Sequence, residues 1–231
     1  MTELRTEEEQ IEAIKSWWKE NGKSLVIMIA VAVSAVYGYK AWQNNQLTSS
    51  ENASFMYQQL VDTVLENPQA SPSAKKENLA TSKHLAKSLK AEHGKTQYAR
   101  YGSLLMAKVA VNSGDLDIGL QELDWLLEQE PQPLLKSIAL IRKAQILAEQ
   151  TDYSQALSLL KGVSDQSIQV QAIELEGDIY LAQGNPEKAR LAYQKAMDNK
   201  PLGNAKDVLS LKLNDLTRKS DRSPTSVAEE G

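Results

Sequence analysis

The 231-residue sequence contains no cysteine, one phenylalanine, two histidines, 11 glycines and seven prolines. Because it has no thiol, the chain can form no disulfide bond, no cysteine nucleophile and no thiolate metal site. Glycine and proline interrupt helices, and their scarcity beside abundant Ala, Leu, Lys, Gln and Glu favours helix over strand. The composition therefore predicts an all-α protein.

An excess of positive charge is also missing, since 26 Lys and Arg stand against 30 Asp and Glu and the net charge is -4. Without a broad positive field nothing attracts a phosphate backbone, so nucleic acid is not an expected partner. No Gly-rich phosphate loop, nucleophile elbow or HExxH motif occurs in the sequence. We therefore expect no cofactor and no catalytic site.

Two groups of polar residues are candidates for a metal site or for acid-base chemistry. His84 and His93 fall on different faces of one predicted helix, so they are interpreted as surface residues and not as ligands of a shared metal. Glu174, Glu176 and Asp178 stand two residues apart, and such neighbours point in different directions on a helix. They are interpreted as a solvated acidic helix face instead of an acid-base pair.

One uncharged apolar run is present, LVIMIAVAVSAVYGY at 25–39, and aromatic residues flank it on both sides. A helix from Trp18 to Trp42 is about 36 Å long, which exceeds a membrane hydrocarbon core of about 30 Å. Tryptophan and tyrosine favour the two membrane interfaces. The run therefore predicts a transmembrane helix at 24–42, in contact with the lipid bilayer.

Two other interpretations of this run stay open. It is shorter than the usual span of about twenty uncharged residues, which suits a buried core helix. Small residues at Ala30 and Ala32 suit a cleaved signal peptide, although the long acid-rich arm at 1–23 differs from the short basic start of a secretory signal.

The distribution of lysine predicts the orientation of the helix. Lys15, Lys19 and Lys23 precede it, whereas Lys40 is the only basic residue after it until Lys75. Positive residues stay on the cytoplasmic side, so the N-terminus should be cytoplasmic and the rest of the chain, in a bacterium, periplasmic. Apolar residues in the arm recur at helical spacing, which predicts an amphipathic helix at the membrane surface. These apolar residues are Ile11, Ile14, Trp17 and Trp18.

Beyond a predicted linker at 43–50, the sequence repeats itself with a period of about 34 residues. The clearest unit, 170–203, has small residues at Gly177 and Ala189 and aromatic residues at Tyr180 and Tyr193, where the two helices of a tetratricopeptide hairpin meet. Units at 100–133 and 137–169 show the same spacing. Asp115, Asp152 and Asn185 share one turn position, where each can cap the second helix of its hairpin. The pattern predicts a tetratricopeptide-like solenoid of helical hairpins.

Further helices are predicted at both ends of these units, so the whole periplasmic domain covers 51–219. Two helices before the first unit, joined by a loop at 67–73, form a degenerate hairpin with apolar steps at Phe55, Leu60, Val64, Leu79, Leu85 and Leu89. A capping helix is predicted at 204–219, with an apolar face of Val208, Leu209, Leu213 and Leu216 backed by Lys206, Lys212 and Arg218. The tail at 220–231 has no periodicity and is predicted to be disordered.

The first helices of successive hairpins line a concave groove in such a stack, and equivalent repeat positions identify its candidate partner-binding residues. These are Tyr101, Leu104, Lys108, Ile138, Ile141, Gln145, Glu174 and Asp178. The groove should run from apolar to acidic. Its apolar residues could bind an unfolded segment or a partner helix, or they could pack against the chain's own N-terminal helices.

The order of features resembles the ancillary SecYEG translocon subunit family: the acidic arm TEEEQIEAIKSWWKENG, one span, the YKAWQ sequence at 39–43 and a repeat domain. The likeness covers nearly the whole chain, and its most specific part is the stretch from Glu7 to Gly22, with the joined Trp17 and Trp18 ahead of a span. It implies the bacterial inner membrane, the SecYEG translocon, a membrane-anchored periplasmic chaperone of the prolyl-isomerase type, and unfolded exported proteins as partners. It supplies no binding residues.

The leading hypothesis is a scaffold or chaperone-like accessory at the periplasmic face of the export channel. The alternative is a regulatory or envelope-assembly adaptor whose cytoplasmic arm passes a periplasmic signal to a cytoplasmic protein. An enzyme is the third hypothesis, and it would need a buried acid or histidine in the groove.

Overall fold

The computed structural model describes residues 7–65, 72–201 and 203–221, and within them it contains helices and no strand. Nine α-helices follow in order: α1 (Glu7–Leu65), α2 (Pro72–His93), α3 (Gln97–Asn112), α4 (Leu116–Glu128), α5 (Pro133–Glu149), α6 (Tyr153–Leu160), α7 (Gln169–Ala182), α8 (Pro186–Asp198) and α9 (Asn204–Asp221). A short 3-10 helix, Gln166–Ile168, precedes α7. The all-α prediction is confirmed. Most of the loop predicted at 67–73, and the tail beyond Asp221, lie outside the described residues.

The predicted linker at 43–50 is helical and belongs to α1. It contains no proline or glycine, so nothing in it interrupts the helical hydrogen bonds, and its polar side chains mark exposure rather than a break. The chain divides into two compact units just beyond this segment, 1–52 and 53–231.

In the first unit, α1 contains a stretch that is long and apolar enough to cross a membrane, judged by length and composition. None of that stretch is buried among the described residues, and Ile27 and Met28 expose 64% and 63% of their surface. A core helix would hide such side chains from water. The interpretation as a buried core helix is therefore wrong.

In the second unit, three antiparallel hairpins follow one another along the chain, α3–α4, α5–α6 and α7–α8, and α4 and α6 each pack on the next hairpin. The predicted small and aromatic positions meet inside the last hairpin. A Cβ atom added to Gly177 would lie 2.4 Å from the ring of Tyr193, which is 1% exposed. Glycine is therefore the residue that lets α7 and α8 approach closely.

The turns inside the three hairpins share one backbone geometry. Gly114, Thr151 and Gly184 all have positive φ, at 78°, 65° and 75°. The next residue in each turn donates its backbone N–H to the carbonyl five residues earlier, and these donors are Asp115, Asp152 and Asn185. This pattern is a backbone cap at the C-terminus of the first helix in each hairpin.

The predicted side-chain caps are only partly present. Asp152 accepts a hydrogen bond from Gln155 N at 3.2 Å, whereas within the described hairpins the side chains of Asp115 and Asn185 make no cap bond. The shared turn position is therefore explained by the backbone geometry at the end of the first helix more than by capping of the second.

The two terminal helices depart from their predicted faces. Ala53, Leu60 and the side chains near them form the buried face of α1, so Phe55 points the other way and is 66% exposed. In α9, Leu209 and Leu216 are buried while Val208 is 40% exposed. Helical periodicity explains both corrections, because residues one or two positions from a buried residue turn away from the core.

Candidate functional site

Equivalent positions of α3, α5 and α7 line a groove made of two adjoining cavities, of about 530 Å³ and about 260 Å³. The larger, between α3 and α5, includes Tyr101, Leu104, Lys108, Ile138 and Gln145. The smaller, between α5 and α7, includes Ile138, Ile141, Gln145, Glu174 and Asp178. The structure thus brings all eight candidate residues to one concave surface. Ile138, Arg142 and Gln145 belong to both cavities.

Tyr57, at the end of α1, forms a wall of the larger cavity that the sequence analysis did not assign. Its ring centroid lies 6.2 Å from that of Tyr101 and 6.0 Å from that of Tyr98. Burial, together with the neighbouring phenol of Tyr101, raises the pKa of Tyr57. The chain's own N-terminal helix therefore covers part of the groove, as one of the two interpretations of these apolar residues expected.

The larger cavity still presents apolar surface beside this wall. Tyr101 is 42% exposed, and Leu104 and Ile138 are half-buried. Charged side chains stand at its margin, since Lys108, Arg142 and Glu149 also line it. The cavity is within the range of about 300 to 1,000 Å³ that is typical of ligand sites, so it has room for a few side chains.

The smaller cavity is dominated by an ion pair. Lys212 of α9 places its Nζ 2.7 Å from Glu174 Oε1 and 2.6 and 2.9 Å from the two Asp178 oxygens. Tyr193 donates its hydroxyl to Asp178 Oδ1 at 2.7 Å, and burial with this hydrogen bond raises the pKa of Tyr193. Burial disfavours the charged form of Lys212, but its hydrogen bonds to Asp178 and Glu174 outweigh burial and raise its pKa.

These contacts correct two expectations about the acidic residues. Glu174 and Asp178, one helical turn apart, both face Lys212, while Glu176 lies on another face beside Tyr180. The cluster is therefore not a solvated face. The three side chains together carry one net negative charge, which Arg142 in the same cavity balances. The signal that could have found the pair is the four-residue spacing of Glu174 and Asp178.

Ile141 contributes less to the groove than its repeat position suggested, because it is 7% exposed and packs in the core of the middle hairpin. His84 is exposed on α2, as expected of a surface histidine. Across the part of the chain that the structure describes, no three His, Asp or Glu side chains stand close enough to hold a metal ion.

Fold and groove together define a class: an all-helical, tetratricopeptide-like repeat protein preceded by one apolar helix that is a candidate membrane span. A family model described as a tetratricopeptide repeat-like domain matches residues 15–218.

The chain is 32% identical over 193 residues to an ancillary SecYEG translocon subunit from Aggregatibacter actinomycetemcomitans, covering 84% of this chain and 89% of the relative. A subunit of the same name from Haemophilus influenzae is 29% identical over the same shares, and one from Escherichia coli is 26% identical over 91% of this chain and 97% of the relative. The chain belongs to the ancillary SecYEG translocon subunit family, which confirms the resemblance identified from the sequence.

Among solved structures, the chain aligns with the MamA 41-end fragment from Desulfovibrio magneticus RS-1. Its TM-score is 0.48 and its identity 18%, over 77% of this chain and 98% of that chain. A MamA double mutant gives a TM-score of 0.48 at 20% identity, over 76% of this chain and 98% of that chain.

Proposed function

We propose that the protein is an accessory subunit of the SecYEG translocon in the bacterial inner membrane, and that it acts by binding protein segments in its groove. The observation that carries this proposal is the pairing of that groove with an exposed apolar helix, in a chain whose relatives are named as translocon subunits. Exposed apolar side chains such as Ile27 and Met28 are stable in lipid and costly in water.

In this proposal the helix spans the membrane at 24–42, with the arm at 1–23 in the cytoplasm and the repeat domain in the periplasm. The lysine distribution around the span supports this orientation. Protease added to spheroplasts should cut the repeat domain and leave the arm intact. Cleavage of the arm and protection of the repeats would contradict the orientation.

Holding the groove at the membrane is the proposed mechanism. A tethered site meets its partners at an effective concentration on the order of millimolar, so weak contacts with emerging exported proteins suffice. The proposed partners are the translocon itself and a membrane-anchored periplasmic chaperone of the prolyl-isomerase type, and the proposed role is to assist exported proteins without catalysis.

Co-purification from gently solubilised membranes tests the association. The full chain should recover SecYEG subunits and the chaperone, whereas a variant with the groove residues Leu104 and Ile138 both changed to Asp should retain the translocon and lose clients. Consistent absence of translocon subunits with the wild-type chain would overturn the proposed function.

The adaptor hypothesis is kept because the arm exposes Ile11, Ile14, Trp17 and Trp18, which could bind a cytoplasmic protein. Deletion of residues 2–15 separates the two functions. A translocon scaffold should keep its co-purifying partners after this deletion, while an adaptor should lose its activity.

A further inference from the structure

Two cations line the larger cavity and bear on the chemistry of its occupant. Lys108 and Arg142 are both exposed there, one on α3 and one on α5. Within the described part of the repeat domain, no carboxylate lies within 4.0 Å of either side chain. Arg142 donates instead to the neutral Gln145 amide oxygen at 2.9 Å.

Three lysines at other helix contacts of this domain do have carboxylate partners. Lys90, Lys143 and Lys212 each pair with a carboxylate from another helix. The charges of these three lysines are therefore balanced within the fold, whereas those of Lys108 and Arg142 have no carboxylate of the described residues within 4.0 Å. Exposed lysines such as Lys136 and Lys206 also lie outside the ion pairs, so the feature that sets Lys108 and Arg142 apart is their shared place in one cavity.

Carboxylates of the chain itself do not cancel this charge. Glu149 lines the same cavity and offsets one of the two positive charges. Glu174 and Asp178 line the neighbouring cavity, but Lys212 holds both of them. The larger cavity thus keeps one net positive charge among its lining residues, beside the apolar surface of Leu104 and Ile138.

We propose that the larger cavity binds a protein segment in which a large apolar or aromatic residue stands next to Asp or Glu, with the carboxylate held by Lys108 and Arg142. This inference rests on the proposed function and names the kind of segment that the groove selects. The apolar side chain fills the space between Tyr57, Leu104 and Ile138. Beside that apolar surface an ion pair is less screened than in open water, so the acid adds specificity.

A segment fits this cavity better than a folded surface does. A volume of about 530 Å³ holds a few side chains. The second cavity continues the groove toward α7, where Arg142 and Lys212 balance Glu174 and Asp178, so a neutral residue is favoured further along the same segment.

The test uses the full chain in lipid nanodiscs and a short fluorescent peptide with one Phe, one Leu and two Glu in a Gly-Ser background. Versions with Gln or Lys in place of Glu complete the set, and fluorescence anisotropy measures each affinity. The Glu peptide should bind about tenfold more tightly than the Gln peptide, and the difference should shrink as salt is raised.

Charge reversal supplies the matched comparison. The double variant Lys108→Glu with Arg142→Glu should lose the Glu peptide and gain the Lys peptide. The double variant Lys136→Glu with Lys206→Glu changes the net charge equally at exposed positions outside the groove, and it should bind as the wild type does. Circular dichroism checks that both variants remain helical.

Equal affinity of the wild type for the Glu and Gln peptides would overturn the inference, as would equal losses in the two double variants. If SecYEG subunits co-purify with the chain while none of the peptides binds, the inference fails and the proposed function stands. If the peptide series behaves as expected while SecYEG subunits never co-purify, the proposed function fails and the selectivity of the groove remains.

Discussion

At each end of the repeat stack, a lysine of one helix forms an ion pair with carboxylates of another, but the two ion pairs differ in where they lie. At the N-terminal end, Lys90 of α2 contacts both oxygens of Glu122 in α4 at 2.6 and 2.7 Å. At the C-terminal end, Lys212 of α9 contacts Glu174 and Asp178 in α7. Only the second ion pair lies among residues that line the groove.

The two ion pairs therefore differ in role: one stabilises the fold alone, and the other also lies in the groove. Ser103 donates its hydroxyl to the Glu122 carboxylate at 2.6 Å, and Lys90 lies over the ring of Trp125. The N-terminal ion pair therefore stabilises the packing of these helices. The C-terminal pair fastens the capping helix and also sets the charge at one end of the groove. Breaking either ion pair should therefore lower stability, but only breaking the C-terminal pair should also change binding.

The largest effect is expected from a methyl group added at the C-terminal end. Gly177→Ala places a Cβ atom 2.4 Å from the ring of buried Tyr193, which cannot move aside without displacing α8. Gly102→Ala is the matched change at the N-terminal end, where the nearest atom is the flexible tip of Leu89 at 2.9 Å. Urea unfolding should show a loss of about 3 kcal/mol for the first and about 1 kcal/mol for the second. Equal losses would contradict this account of the close helix approach.

Breaking the N-terminal ion pair should come next. Lys90→Met leaves the Glu122 carboxylate without its cation at 15% side-chain exposure, which should lower the free energy of unfolding by about 2 kcal/mol. Peptide affinity of the groove should not change. A large fall in affinity at unchanged helix content would show that this end does contribute to recognition.

Breaking the C-terminal ion pair should cost less stability and change binding. Asp178 is 43% exposed, so solvent screens part of the interaction, and Lys212→Met should cost about 1 kcal/mol. Two uncompensated carboxylates should weaken the Glu peptide about threefold through repulsion. Stability from thermal unfolding and affinity from anisotropy, measured on the same sample, separate the two effects.

The smallest expected effect is the pH dependence that Lys212 and Tyr193 contribute at the C-terminal end. The pKa values of Lys212 and Tyr193 are both raised in the folded protein, so above about pH 10 the folded state binds more protons than the unfolded state. Stability from this pair is present below that pH and is lost as the pH rises further. A variant with Lys212→Met and Tyr193→Phe should lose stability less steeply between about pH 10 and 11, by about 1 kcal/mol. Parallel curves for variant and wild type would contradict this assignment.

Much of this architecture follows from sequence because repeat periodicity constrains it strongly. Gly177 with Tyr193, and the equivalent groove positions from Tyr101 to Asp178, could be placed by spacing alone. The wall formed by Tyr57 could not, because the register of a degenerate hairpin against α3 depends on packing that no repeat spacing encodes. Spacing places Lys212 on the polar side of its helix. It does not predict the contact with Glu174, because that contact joins residues 38 positions apart.

The segment at 43–50 shows that polar composition alone does not predict a break in a helix. Its polar composition predicted a linker, yet a polar stretch without proline or glycine can remain helical when helices continue on both sides. The two compact units meet after Asn52, and composition did not identify the secondary structure of the segment before it.

Site-specific photocrosslinking in intact membranes tests most directly whether the groove is the binding surface. A photoreactive residue at Gln145, which lines both cavities, is compared with one at Leu191, which is 61% exposed outside the groove. We expect adducts with exported chains from position 145, lost in the variant with Lys108→Glu and Arg142→Glu, and few from position 191. Adducts from position 191 alone would contradict the groove as the site of recognition.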